Sequence, residues 1–279
     1  MFSINMEFVD KPEEADVILV GIPMDQGTEK RGCVNAPSTV RSYFDNFFFS
    51  ETCGVRRVLD RGDIVEENTF EKTEDKIYSK MCDLFNLKRP VVTIGGNHSI
   101  TFPIIKSLSR FYNKIGVIHI DAHPDAQIDY YPNGDIIPNI ISIPEVKKVI
   151  SIGLRNWSKY EASFLEEHKV PYITMNSLIE AGIDHCIEKI KMALHGCDCI
   201  YISFDIDSID PAFAPGTGWI EPGGLTSRQA IELVQKLAKL ENVKGFDLVE
   251  INVKKDSKDI TSILGAKLIY EFSNALVIR

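Results

Sequence analysis

The stretch IHIDAHPDAQ sets Asp121, His123 and Asp125 directly behind an apolar run. Carboxylates and imidazoles are ligands for divalent cations. In extended backbone, side chains two residues apart point to the same side, so these three groups would converge where a strand ends. A second run, DCIYISFDIDSIDP, ends in the same way: Asp205 and Asp207 share a side, and Asp210-Pro211 closes it. A third, VVTIGGNHS, delivers His98 just after a Gly-Gly turn and just before a helical pattern. Singly each signal is weak, because Asp-x-His arises by chance and a lone histidine after a strand is more often a hydrogen-bonded structural residue than a ligand. Together, His98, Asp121, His123, Asp125, Asp205 and Asp207 place four carboxylates and two imidazoles at strand ends. That density of negative charge repels itself unless cations bind there. A set rich in carboxylate, with some imidazole and no thiolate, favours harder divalent ions of the manganese type over structural zinc.

Positioning such groups requires a sheet whose strands end at a common rim. Short β-branched runs recur along the chain: DVILVGIP from Asp16, RRVLDRG from Arg56, VVTIGG from Val91, KIGVIHI from Lys114, VKKVISIGL from Val146, VPYITM from Val170, DCIYISF from Asp198 and VKGFDLVEI from Val243. Their near-continuous hydrophobicity is that of strands buried on both faces. Between them lie helical patterns, ITFPIIKSLSRFY, IDHCIEKIKMALH and TSRQAIELVQKLAKL, the last opening on a Thr226 to Gln229 capping box. Alternating strand and helix predicts an α/β fold with right-handed crossovers and a parallel sheet covered by helices on two faces. In such sheets functional side chains lie in loops beyond the carboxyl ends of the strands. No linker or repeat interrupts the pattern, so residues 1–279 are expected to form a single domain.

Composition narrows the function classes. A formal net charge of -9 over 279 residues argues against nucleic acid as a partner, because such surfaces need clustered Lys and Arg. It suits a cationic small molecule better. No apolar run is long enough to cross a bilayer and the first residues lack the pattern of a leader, so a cytoplasmic location is expected, with no membrane partner. The six cysteines lack the density of a disulfide scaffold. Cys197-x-Cys199 lacks a matching Cys/His pair, and is read as structural.

The segments GGNHS, DAHPD and SFDIDSIDPAFAPGTG resemble the signatures of the ureohydrolases (arginase, agmatinase and formiminoglutamase), which read approximately GGDHS, DAHxD and SxDxDxxDPxxxPGTG. The likeness extends from VGIPMDQGTEKRGCVNAPSTVR near the start to EPGGLT, GFDLVEIN and AKLIYEF near the end, and is greatest to agmatinase. It implies a three-layer α/β/α sandwich with a mostly parallel sheet of about eight strands. It further implies two Mn2+ ions per subunit, bridged by Asp121 and Asp205. His98 and Asp125 would complete one ion site, and His123 and Asp207 the other. Glu250 would grip the guanidinium of the substrate, and Asp125 would accept a hydrogen bond from the nucleophile. Guanidinium carbon is a poor electrophile, and two ions sharing a water supply a stronger nucleophile near neutral pH. The implied reaction releases urea from a linear guanidino compound, with agmatine to putrescine first and formiminoglutamate, guanidinobutyrate and arginine as alternatives. Family members often form homo-oligomers, trimers or hexamers.

Several positions depart from the family pattern. After DAHPD the relatives carry a His-Gly assigned to proton transfer or substrate contact, whereas AQIDYYPNGDIIPNIISIPEV contains no histidine and puts Pro138-Asn139 near that place. Asp129, Tyr130, Tyr131 or solvent would have to supply the missing group. Asn97 replaces an Asp beside His98, removing a charge next to the ligand set. Trp219-Ile220 replaces Thr-Pro after PGTG, enlarging the apolar wall of the pocket, and Gln127 stands where arginases have an amide that holds the amino-acid carboxylate. Among rivals, metallophosphoesterases place Asp-x-His before Gly-Asn-His and follow the latter with an acidic residue; here the order is reversed and Ser99 follows. Deacetylases of the same fold keep one zinc, which the Asp205 and Asp207 pair disfavours. A non-catalytic metal-binding role is the alternative from another class.

Overall fold

The computed structural model describes residues 6–28, 31–52, 55–127 and 135–278. Its strands are β1 (Met6–Phe8), β2 (Val17–Gly21), β3 (Arg56–Asp63), β4 (Val91–Ile94), β5 (Ile115–Ile120), β6 (Val146–Leu154), β7 (Tyr172–Thr174), β8 (Cys199–Asp205) and β9 (Val243–Val249). They form one sheet in the order β1-β3-β2-β4-β9-β8-β5-β6-β7, and every strand pair is parallel. Every residue of β4, β5 and β8 is buried, which is why these runs are apolar throughout instead of alternating. Nine strands stand where about eight were expected. The addition is β1, three residues at the sheet edge, too short to leave a pattern in the sequence.

The helices are α1 (Ala36–Arg41), α2 (Phe70–Phe85), α3 (Thr101–Leu108), α4 (Ile136–Ile141), α5 (Lys159–Glu167), α6 (Met175–Ala193), α7 (Ser227–Leu237) and α8 (Ile260–Ala275). Right-handed crossovers sort them by direction of travel along the sheet. The connections toward β7, through α2, α3, α4 and α5, pack one face, where Ile77, Met81, Ile104, Ile140 and Phe164 share a core. Those running back, through α1, α6 and α7, pack the other with α8, around Val40, Ile190, Leu233 and Phe272. The result is the three-layer α/β/α sandwich. The Thr226 to Gln229 capping box forms with both of its reciprocal bonds, and Ser158 and Glu161 make a second at the start of α5. Cys197 lies in one core and Cys199 in the other, so this pair cannot chelate a common ion. No helix among the described residues is long and apolar enough to cross a membrane.

The chain jumps from β4 to β5 and later returns to fill the space between them with β8 and β9. The carboxyl ends of β4, β9, β8 and β5 therefore stand side by side at the centre of the sheet. Asp205 is the last residue of β8, Glu250 and Asp121 follow directly on β9 and β5, and His98 comes four residues after the end of β4.

Candidate metal centre and its cavity

His98 opens a 3-10 turn that leads into α3, after a Gly95-Gly96 turn that lets the backbones touch. A Cβ on Gly96 would fall 2.2 Å from the Met24 carbonyl oxygen. His98 Nδ1 lies 3.3 Å from Asp121 Oδ2, 3.1 Å from Asp125 Oδ2 and 3.3 Å from Asp205 Oδ2. His123 Nδ1 lies 3.3 Å from Asp121 Oδ1 and 3.1 Å from Asp207 Oδ2. All six sequence-predicted groups therefore gather around one centre, with Asp121 turning one oxygen toward each histidine.

The means of convergence differs from simple strand alternation. β5 ends at Ile120 and β8 at Asp205, so the second member of each motif no longer sits on extended backbone. Instead Asp121 Oδ1 accepts from the His123 backbone N–H at 2.6 Å, and Asp205 Oδ1 accepts from the Asp207 N–H at 2.7 Å. Each Asp-x-His or Asp-x-Asp thus closes an Asx-type turn that carries the later side chain back beside the first. Asp125 joins through a left-handed backbone, φ 45°, and Glu250 also has a positive φ, 65°. Non-glycine residues adopt such angles at a cost of about 1–3 kcal/mol, and strain of this kind concentrates at functional sites.

Electrostatics marks the same place. Burial, together with repulsion from Asp207 and Asp121, pushes the Asp205 carboxyl well above its ordinary range. Burial and Asp121 push Asp207 up to about 6. Burial alone would lower His123, but Asp121 and Asp207 override it and raise the imidazole to about 12. Without cations the cluster holds itself together with protons. His98 Nδ1 and Asp121 Oδ2 are buried atoms that find no hydrogen-bond partner, close to each other but not aligned. Donors at about 2.1 Å from a shared octahedral ion stand about 3 Å apart along each edge. The 3.1–3.3 Å spacings and the orphaned atoms fit divalent cations.

Behind the cluster lies a buried polar row that reading the strands as apolar runs missed. Thr93, Asp247, Ser203, His119 and Ser151 are register neighbours across β4, β9, β8, β5 and β6. Asp247 is fully buried and accepts from Tyr201 at 2.6 Å, Ser203 at 2.7 Å and Thr101 at 2.9 Å. Because Ser203 gives its proton to Asp247, it can only accept from His98 Nε2, 2.9 Å away. This fixes the Nε2–H tautomer of neutral His98 and leaves the Nδ1 lone pair facing the carboxylates. The available signal was one polar residue interrupting each apolar run shortly before its end.

The cluster floors a cavity of about 530 Å³, lined also by Gln127, Trp157, Glu161, Trp219 and Glu250. Among the described residues that line it there is no Lys or Arg. Glu250, 8% exposed, accepts from the His98 backbone N–H at 2.8 Å, and burial raises its carboxyl to about 7. Arg155 holds the loop over the cavity, donating to the carbonyls of Asp207, Ser208, Glu221 and Pro222. Glu221 in turn lies 3.4 Å from His123 Nε2. Asn97 faces away from the cluster: its amide donates to the Gln26 carbonyl and accepts from Ser99, and an ionised Asp could not make the first bond. Trp219 lines the cavity, whereas Ile220 is exposed and does not. Pro138 and Asn139 lie in α4, outside the cavity lining. Asp129, Tyr130 and Tyr131 fall outside the described residues, as does Cys53.

Comparisons with known proteins agree on one family. The model of the arginase family matches residues 15–274. A guanidinobutyrase of Pseudomonas aeruginosa is 30% identical over 96% of this chain and 89% of its own. An agmatinase of Enterobacter is 29% identical over 96% and 90%. The crystal structure of formimidoylglutamase from Bacillus subtilis superposes with a TM-score of 0.88 at 26% identity, covering 97% of this chain and 89% of that one.

Proposed function

This chain belongs to the arginase family of hydrolases, and from that premise we propose that it cleaves the C–N bond of a linear guanidino compound to release urea, converting agmatine to putrescine. The observation that carries the choice of agmatine is the charge of the cavity: Glu161 and Glu250 line it beside the cluster, and no described lining residue is Lys or Arg. A substrate cationic at both ends is attracted throughout, whereas the carboxylate of guanidinobutyrate, arginine or formiminoglutamate finds no counter-charge among the described lining residues. Guanidinobutyrate is the second reading, favoured by the relative at 30% identity.

His98, Asp121, His123, Asp125, Asp205 and Asp207 would hold two manganese ions, with Asp121 and Asp205 shared. When bound, such a pair supplies Lewis acidity and a water of lowered pKa. Glu250 would bind the guanidinium through its carboxylate and orient the carbon toward the nucleophile. A cation beside it favours the ionised form that burial opposes. Asp125 would take the proton from the attacking water and pass it to the leaving nitrogen, so that the amine departs neutral. The oxygen-rich ligand set supports manganese. The free thiols of Cys33, Cys82, Cys186, Cys197 and Cys199 suit a reducing, cytoplasmic compartment. Assembly into trimers or hexamers is carried over from the family alone.

A panel assay with manganese tests the reading by measuring urea, formamide and phosphate released from agmatine, guanidinobutyrate, arginine, formiminoglutamate and a phosphate ester. Urea from agmatine, lost in folded Asp125→Asn and Asp207→Ala, is expected. Formamide without urea would move the substrate to the formimino class, and phosphate alone would overturn the assignment.

A further inference from the structure

Glu250 lines the cavity, and one partner of its carboxylate comes from 217 residues away in the chain. Cys33 opens a 3-10 turn ahead of α1, is fully buried and does not line the cavity, yet its Sγ lies 3.7 Å from Glu250 Oε2. The other carboxylate oxygen, Oε1, accepts from the His98 backbone N–H at 2.8 Å. The backbone that carries the thiol is itself tied down. Gly32 and Cys33 donate their N–H groups to the two oxygens of Asp25, at 2.9 and 2.8 Å. Gly32 also packs so closely on the segment after Glu250 that a Cβ there would fall 2.0 Å from Asn252 Oδ1, and its carbonyl accepts from the Val253 N–H at 3.3 Å.

Covalent and ligand roles do not suit this thiol. Burial and the neighbouring Glu250, Asp25 and Asp205 carboxylates push it well above its ordinary range, so it keeps its proton. Cys33 is a free cysteine and belongs to neither of the side-chain groups that could hold an ion. Its S–H remains as a donor.

We propose that Cys33 is a positioning residue for substrate binding: its thiol donates to Glu250 Oε2 and, with the His98 N–H on Oε1, fixes the plane of the carboxylate that receives a guanidinium. An ionised carboxylate has about four acceptor sites. With one occupied on each oxygen, one remains on each, which matches the paired N–H groups of a guanidinium. Because the thiol is neutral, it orients the carboxylate without cancelling the charge that attracts the substrate. A Lys or Arg in its place would compete for that charge.

The inference rests on Glu250 binding the guanidinium, and the test separates the two. The S–H stretch of Cys33 in manganese-loaded protein is isolated by infrared difference spectroscopy of wild type against Cys33→Ala, and agmatine kinetics are measured alongside. The expected band is lowered by hydrogen bonding. It moves up in Glu250→Gln, and also on saturation with agmatine, whose guanidinium draws on the same carboxylate. Cys33→Ala should raise KM about 2–10-fold with kcat held within about twofold, and Cys33→Ser, which keeps a donor, should restore the wild-type KM. Both variants lose the sulfur, so a role in packing alone would move them together. Equal KM in the Ala and Ser variants overturns the proposal, as does a Cys33 band that Glu250→Gln leaves in place. If Cys33→Ala fails to fold, Cys33→Ser serves as the infrared reference, and the response of the band to Glu250→Gln and to agmatine decides. Wild-type KM in Glu250→Gln would overturn the guanidinium reading of Glu250, and the proposal with it, whatever the band shows.

Discussion

Replacing Asp247 with Asn alters one buried group that touches neither the cavity nor the ion ligands, yet it should weaken the hold on one ion. The amide has two ways to sit. With its oxygen at the Oδ2 position it keeps the bonds from Tyr201 and Thr101 and points its NH2 group at Ser203. The reverse orientation sets donors against two hydroxyl donors and forfeits two bonds for the sake of one, so the first prevails. Ser203 then accepts from the amide and turns its own proton toward His98 Nε2 at 2.9 Å, the shorter of its two remaining contacts, the other being Thr101 Oγ1 at 3.2 Å. That favours the Nδ1–H tautomer, whose proton points into the carboxylates where an ion would sit. Binding the ion requires returning the proton to Nε2 and breaking the Ser203 bond, at about 1–3 kcal/mol. At about 1.4 kcal/mol per decade the affinity of one ion should fall about 10–100-fold. The loss of buried charge should leave the fold intact, because burial already opposes ionisation of Asp247.

The assay is chelator-competition titration of manganese, with circular dichroism to confirm folding and 15N chemical shifts of His98 to report the tautomer. The expected result is a folded variant with one weakened ion and an inverted His98 tautomer. Wild-type affinity for both ions with an unchanged tautomer would refute the relay through Ser203.

Ion-free protein should lose stability as pH rises from about 4 to about 7, because Asp207 and Glu250 titrate at about 6 and about 7 when folded but near 3.8 and 4.5 when unfolded, so the native state binds more protons. Glu250 alone corresponds to at most about 3 kcal/mol across that window. The raised His123 extends the decline above pH 6.5, toward about 12. Denaturant midpoints in EDTA at several pH values measure this, and a stability that climbs over the same range contradicts it. Glu250→Gln should raise KM for agmatine at least tenfold while leaving manganese stoichiometry unchanged, as steady-state kinetics and metal analysis would show. Equal loss of ions and activity would mean that Glu250 serves the cluster instead. Arg155→Lys cannot reproduce the guanidinium fork that holds four carbonyls of the 207–222 loop. Faster amide exchange in residues 207–222 is expected, and unchanged exchange would rule out the clamp.

Much of this molecule was legible in its residues. Eight apolar runs correspond to β2 through β9 because burial on both faces leaves a composition signal, and six ligand candidates meet because parallel strands end at one rim. What escaped has definite causes. β1 carries too few residues for any period to appear. His119, Ser203 and Asp247 sit inside runs whose apolar character dominates, and their meaning emerges only across strands, from a register that one strand cannot reveal. The turns that gather His123 and Asp207 depend on carboxylate-to-backbone bonds, so alternation gave the right meeting place by the wrong geometry. Arg155 acts through carbonyl oxygens more than 50 residues away, and backbone acceptors leave no mark in a sequence.

The central claim is that two divalent ions share this cluster. Anomalous diffraction at the manganese edge from manganese-soaked crystals tests it directly. The account predicts two peaks about 3–4 Å apart, one against His98 and Asp125 and the other against His123 and Asp207, with Asp121 and Asp205 between them. A single peak, or peaks elsewhere on the protein, would contradict it.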